Sequence, residues 1–174
     1  SELKSDVKNN KIIIAMMHYG IFYDFTTYFK ILGSLTFIFK NNGLKFIFNE
    51  INLNIIPIEY KNVVNNYEKL FDKNIIYLVC DHKKIDKNQK YNFMNQSTSF
   101  HESAANIHKI TKRSIWIMIP KFNFEEISID LEFIPVQRDY DNTPKKIITQ
   151  NIADIFSKEI LNSPEQYLWN FKRF

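Results

Sequence analysis

His18 is the residue of this chain best set for acid–base chemistry. It follows the apolar run Ile12-Ile13-Ile14-Ala15-Met16-Met17 and precedes a segment of helical pattern, Ile21 to Leu32. An imidazole at such a junction can take a proton from an incoming hydroxyl, provided an acid orients its ring. Without that acid it would only cap the helix or pack. Asp81-His82 closes another apolar run, Ile75 to Cys80. Asp81 could orient a catalytic group, bond an acceptor or satisfy the backbone of the following turn. Two His and an Asp near one strand edge also raise a metal, but the His residues are far apart in sequence and no tight ligand pair accompanies them, which argues against zinc. His101 and Glu102 read as a helix start with an acidic first turn rather than as catalytic groups.

The elements that must position these residues alternate in type. Short continuous apolar runs at 12–17, 35–39, 75–80 and 115–120 suit buried, mostly parallel strands. Ile127 to Phe133 alternates strictly and predicts an edge strand with one wet face. Helical spacing is expected at 21–32, with Gly33 as C-cap, at 42–52, at 61–71, from His101 to Arg113, and from about Pro144 to Asn162. Residues 1–10 are polar and read as loose, and a lysine-rich loop follows His82. The order predicts an α/β fold: a central, mostly parallel sheet flanked by helices. Sites in such sheets lie beyond the carboxyl ends of strands, where His18 and Asp81-His82 both fall.

At 174 residues the chain reads as one domain spanning 1–174. A net charge of +4 favours anionic partners without choosing one. Nucleic acid is disfavoured, because neither an aromatic ribonucleoprotein motif nor a glycine-rich clamp loop is present. Cys80, the single cysteine, rules out an internal disulfide framework and fits a reducing compartment. No run reaches the ~18 apolar residues that a membrane-spanning helix needs, and the N-terminus lacks a signal-peptide layout.

The segment Pro164-Glu165-Gln166-Tyr167-Leu168-Trp169, followed by Lys172-Arg173-Phe174, resembles the C-terminal signature of the bacterial lipid A late acyltransferases, the lauroyl/myristoyl transferase family. The likeness extends from about Lys11 to Phe174. The region from Ile14 to Asp24 is similar to that family's His-x4-acid box, in which the His deprotonates the acceptor hydroxyl. Here the box departs: Tyr23 stands in the acid position and Asp24 comes one residue late. One residue is roughly a 100° turn of a helix, so Asp24 need not face His18. Lys40 falls where the family carries a phosphate-contacting Arg; it keeps the charge and loses the bidentate fork. Asp81-His82 matches an Asp-His or Asp-Gln pair, and Phe93 to Ser99 is a degenerate form of a Phe-Gly and Thr-rich approach to a helix. In the terminal motif, Trp169 and Phe174 would pack the last helix onto the sheet, while Arg173 and Lys172 would pair with Glu165 or face anionic headgroups.

The resemblance implies a glycerolipid-acyltransferase-like fold and acyl transfer from acyl carrier protein to a hydroxyl of a lipid A precursor. His18 would be the base, Asp24 or Tyr23 its orienter, and Lys40, Asp81, His82 and Arg173 substrate contacts. No metal or prosthetic group is implied, the acyl-carrier-protein thioester being the co-substrate. The setting would be the cytoplasmic face of the bacterial inner membrane, with a peripheral attachment, since family members carry an N-terminal membrane helix before the His box and this chain reads as truncated there. The alternative is a catalytically inactive remnant that keeps the fold and binds lipid or a protein partner.

Overall fold

The computed structural model describes residues 2–8, 12–19, 35–39, 55–59, 75–81, 90–137 and 142–169, with the backbone alone for 7–8, 35–39 and 55–59. The sequence-predicted helices at 21–32, 42–52 and 61–71 and the lysine-rich loop lie outside these residues. Eight strands appear in chain order among those described: β1 (Ile12–Met16), β2 (Leu35–Phe39), β3 (Ile55–Glu59), β4 (Ile75–Val79), β5 (Tyr91–Phe93), β6 (Gln96–Thr98), β7 (Ser114–Asn123) and β8 (Ser128–Gln137). The described helices are α1 (Glu2–Lys8), α2 (Ser103–Thr111) and α3 (Lys145–Asn162), and a 3-10 turn follows at Pro164–Gln166.

Six strands form one sheet in the order β3-β2-β4-β1-β7-β8. All pairings are parallel except that of β7 with β8. β1 and β4 sit at its centre; every side chain of β1 and the first four of β4 are buried. That burial on both faces explains why they read as unbroken apolar runs rather than as alternation. At the outer edge no residue of β8 is fully buried, and Asp130 and Glu132 are exposed between half-buried Ile129, Leu131 and Phe133, as its alternation predicts. Pro135 lies in this edge strand beside a register shift at Ile115/Trp116, where a missing backbone donor is tolerated.

Three expectations need correction. Residues 2–8 are helical rather than loose, and the helix is tied to the sheet by Trp116 Nε1, which donates to Asp6 Oδ2 at 2.9 Å. No element is expected between 53 and 60, yet β3 forms there; Pro57 lies in it, and β3 is an edge strand, the place where proline is accepted. Glu102 precedes α2 instead of lying in its first turn, and its carboxylate accepts a hydrogen bond from Tyr91 Oη. Burial and that neighbouring carboxylate together push the Tyr91 phenol well above its ordinary range.

α3 packs on the sheet through Ile148, Ile152, Phe156 and Ile160, spaced four apart on one face. The hairpin β5–β6 docks on the same helix. Its two-residue turn, Met94-Asn95, has positive φ at both positions (52° and 62°), as a type I′ turn demands. Asn tolerates that conformation, which accounts for Asn95 where the resembling family segment has Gly. The turn is held by Met94 N donating to Ser157 Oγ at 2.9 Å, and Gln150 bonds both backbone groups of Asn92.

Candidate active site

The site begins with a register. β1 and β4 are parallel neighbours with Ile12 opposite Ile75 and Met16 opposite Val79. Cys80 N donates to Met16 O at 2.8 Å, carrying the pairing one step past the strands. The same offset of 63 residues sets His18 opposite Asp81. From these two strands the chain leaves in opposite directions across the sheet, β1 toward β2 and β4 toward β7. In α/β sheets a crevice opens at the carboxyl ends of such a pair.

His18 Nδ1 lies 2.6 Å from Asp81 Oδ1. A carboxylate only accepts, so Nδ1 carries the proton and Nε2 is the basic nitrogen of the ring. The second carboxylate oxygen is also engaged: Oδ2 accepts from His18 N at 3.1 Å and from Tyr167 Oη at 3.1 Å. Among the described residues Asp81 receives at least these three donors while its side chain is fully buried, and the His18 side chain is 7% exposed. A carboxylate withdrawn from water needs such donors to remain charged. The result is an acid–imidazole pair of the kind that turns a His into a general base and stabilises the imidazolium it becomes.

The segment after α3 closes the pair from the other side. Leu168 N donates to His18 O at 2.9 Å, and Tyr19 and Tyr167 form an isolated antiparallel bridge. Gln166 bonds both backbone groups of Phe122 on β7, accepting from N at 2.9 Å and donating to O at 3.4 Å. Tyr19 Oη donates to Glu159 O at 3.3 Å, and burial raises the Tyr19 phenol above its usual range. Glu159, buried near the end of α3, pairs with Lys121 Nζ at 3.2 Å, and Lys121 also meets Glu132. The two carboxylates hold that ammonium charged, raising its pKa.

Of the residues singled out in the sequence, the structure brings His18 and Asp81 together. Tyr23, Asp24, Lys40, His82, Arg173 and Phe174 lie outside the described residues. Trp169 does not pack α3 onto the sheet as expected. It is 52% exposed, stands edge-to-face on Tyr167 at 5.1 Å between ring centroids, and donates its Nε1–H to Pro164 O. Tyr167 was missed as a site residue, although it sits inside the motif that drew most notice. Cys80 is adjacent to Asp81 but is not a nucleophile: burial and the neighbouring carboxylate push its thiol up to about 12. Among the described residues no three His, Cys, Asp or Glu side chains are grouped to hold a metal ion.

The family model for bacterial lipid A biosynthesis acyltransferase matches residues 50–174, well over half of the chain. The match takes in Asp81 and the whole 163–169 segment, while His18 lies before it. Comparison with curated proteins returns no match.

Proposed function

This chain belongs to the bacterial lipid A biosynthesis acyltransferase family, and we propose that it moves a fatty acyl chain from an acyl-carrier-protein thioester to a hydroxyl of a lipid A precursor. The observation that carries the mechanism is Asp81 on Nδ1 of His18. His18 Nε2 takes the proton of the acceptor hydroxyl as its oxygen attacks the thioester carbonyl carbon. The tetrahedral intermediate collapses, the C–S bond breaks, and the imidazolium returns the proton to the departing sulfur. Asp81 stabilises the positive ring throughout. The glycerolipid-acyltransferase-like reading of the fold is part of the same proposal. So are Lys40, His82 and Arg173 as contacts to an anionic acceptor, Asp24 as a further candidate orienter of the base, and the thioester as the one co-substrate, with no prosthetic group.

The inactive alternative arises from Tyr23 in the acid position of the His box. A carboxylate supplied to Nδ1 by Asp81 from another strand answers that deficit and supports the active reading. The test is acyl transfer from loaded acyl carrier protein to a lipid A precursor, comparing the parent with His18→Ala and Tyr23→Glu. Activity that vanishes in His18→Ala is the expected result. An inert parent that gains transfer on Tyr23→Glu would instead favour a silenced scaffold.

A glycolipid acceptor requires apposition to a membrane, and we place this at the cytoplasmic face of the inner membrane. No helix among the described residues is long and apolar enough to cross a bilayer. Support for surface contact comes from the β7–β8 turn, which projects at the carboxyl end of the sheet, the His18 end. Phe124 is 69% and Ile127 81% exposed there, with Trp169 also exposed at that end. Ile127 has φ 50°, a costly conformation for a β-branched residue. Glu125 and Glu126 lie between the two apolar tips, so the contact would be apolar rather than electrostatic. The double change Phe124→Ser with Ile127→Ser should lower co-sedimentation with phosphatidylcholine vesicles by about ten-fold or more, given ~1.5–3 kcal/mol per buried side chain of this size. Unchanged sedimentation would remove this surface from the account.

A further inference from the structure

Proton transfer at His18 needs a base and its acid; it has no evident use for a third side chain. Yet Tyr167 Oη reaches Asp81 Oδ2 across 86 residues of sequence, and Tyr167 is only 5% exposed. The torsion that turns an Asp carboxylate is soft and nearly two-fold. A single bond from Oδ1 to the imidazole would leave the carboxylate plane poorly set. The donors on Oδ2, the His18 backbone N–H and the Tyr167 hydroxyl, define that plane.

We propose that Tyr167 is a positioning residue, acting through Asp81 to fix the ring orientation and tautomer of His18, and that Ser163–Trp169 is the strap that holds it there. Several independent ties keep the strap in place. Leu168 N bonds His18 O and Gln166 bonds both backbone groups of Phe122, while within the strap Trp169 Nε1 bonds Pro164 O and its ring supports that of Tyr167. The strap therefore grips the catalytic residue twice, at the His18 carbonyl directly and at its imidazole through Asp81. The inference rests on the reading of His18 as the base.

The test uses the full chain and Tyr167→Phe, which keeps the ring and removes the donor. Two readouts apply: kcat and KM for acyl transfer, and nitrogen NMR of histidine-labelled protein. The chain has four His, and His18→Gln assigns the His18 signals. The expected result is kcat lower by about ten-fold with KM unchanged, the loss of one hydrogen bond to a charged group. The single Nδ1–H tautomer of His18 should also give way to a mixture at temperatures below unfolding. A merely structural role would lower the thermal midpoint without redistributing the tautomer. Parent-like kcat with a parent-like His18 signal overturns the proposal. His18→Ala, run alongside, separates the two ideas. If transfer survives it, the acid–base reading fails, and the tautomer signal still decides the role of Tyr167. If the parent is inert, the NMR measurement decides alone.

Discussion

Changing Asp81 to Asn should lower acyl transfer by about 10⁴-fold while leaving KM near that of the parent, on the scale seen when the orienting acid of a serine-protease triad becomes its amide. The amide is nearly isosteric, so the sheet and its register should survive. Its NH₂ group donates where the carboxylate accepted. To avoid facing Nδ1–H with a donor, the imidazole would move its proton to Nε2, the nitrogen that has to be basic. The amide also lacks the charge that stabilises the imidazolium. On the proposed mechanism His18 and Asp81 act as a unit, so adding His18→Ala to Asp81→Asn should cost little more than either change alone. Losses that multiply, or an Asp81→Asn variant as active as the parent, would show that another group orients the base.

The second large effect is on stability. Phe156→Ala should cost about 3–5 kcal/mol, the usual range for removing a fully buried aromatic ring. Phe156 is 0% exposed on the apolar face of α3, among Ile148, Ile152 and Ile160. Domains of this kind are stable by only ~5–15 kcal/mol, so about a fifth or more of the total is at stake. Ile147, 50% exposed on the same helix, is the control; Ile147→Ala should change stability by no more than ~0.5 kcal/mol. Urea unfolding followed by circular dichroism measures both. Equal small effects would mean that α3 is not anchored by this face. The same helix leads directly into the 163–169 strap, so its loosening should also reduce transfer at temperatures where the sheet is still folded.

How far the sequence discloses this architecture depends on how local the controlling physics is. β1, β4 and the 115–120 stretch of β7 are legible because segments buried on both faces favour unbroken apolar runs, and β8 because one wet face imposes alternation. β3 is not, since Pro57 opposes strand formation in general and is tolerated only by virtue of an edge position that no local pattern reveals. Likewise α1 has little pattern of its own, and its described tie to the sheet is a hydrogen bond spanning 110 residues. The candidate site divides the same way. His18 and Asp81 each stand at the end of an apolar run and can be picked singly. That they meet is a property of the β1–β4 register, which pairing in space decides. The resemblance to a His-x4-acid box points to Asp24 or Tyr23 as the orienter and leaves Asp81 open between base, acceptor and backbone. Tyr167 left no trace beyond its membership of a motif, because a hydroxyl and its acceptor 86 residues away share no periodicity.

The strap has a consequence in time as well as in space. During synthesis both central strands leave the ribosome long before residues 163–169 do. A nascent chain can therefore pair β1 with β4 and bring His18 to Asp81 while the carboxylate still lacks its tyrosine donor and the His18 carbonyl its partner. Closing that arrangement is a long-range event, slow compared with the formation of α3. On this view the base acquires its final geometry only after the rest of the described sheet is in place, and acyl-transfer competence is a late property of the polypeptide, gained with the arrival of one short segment.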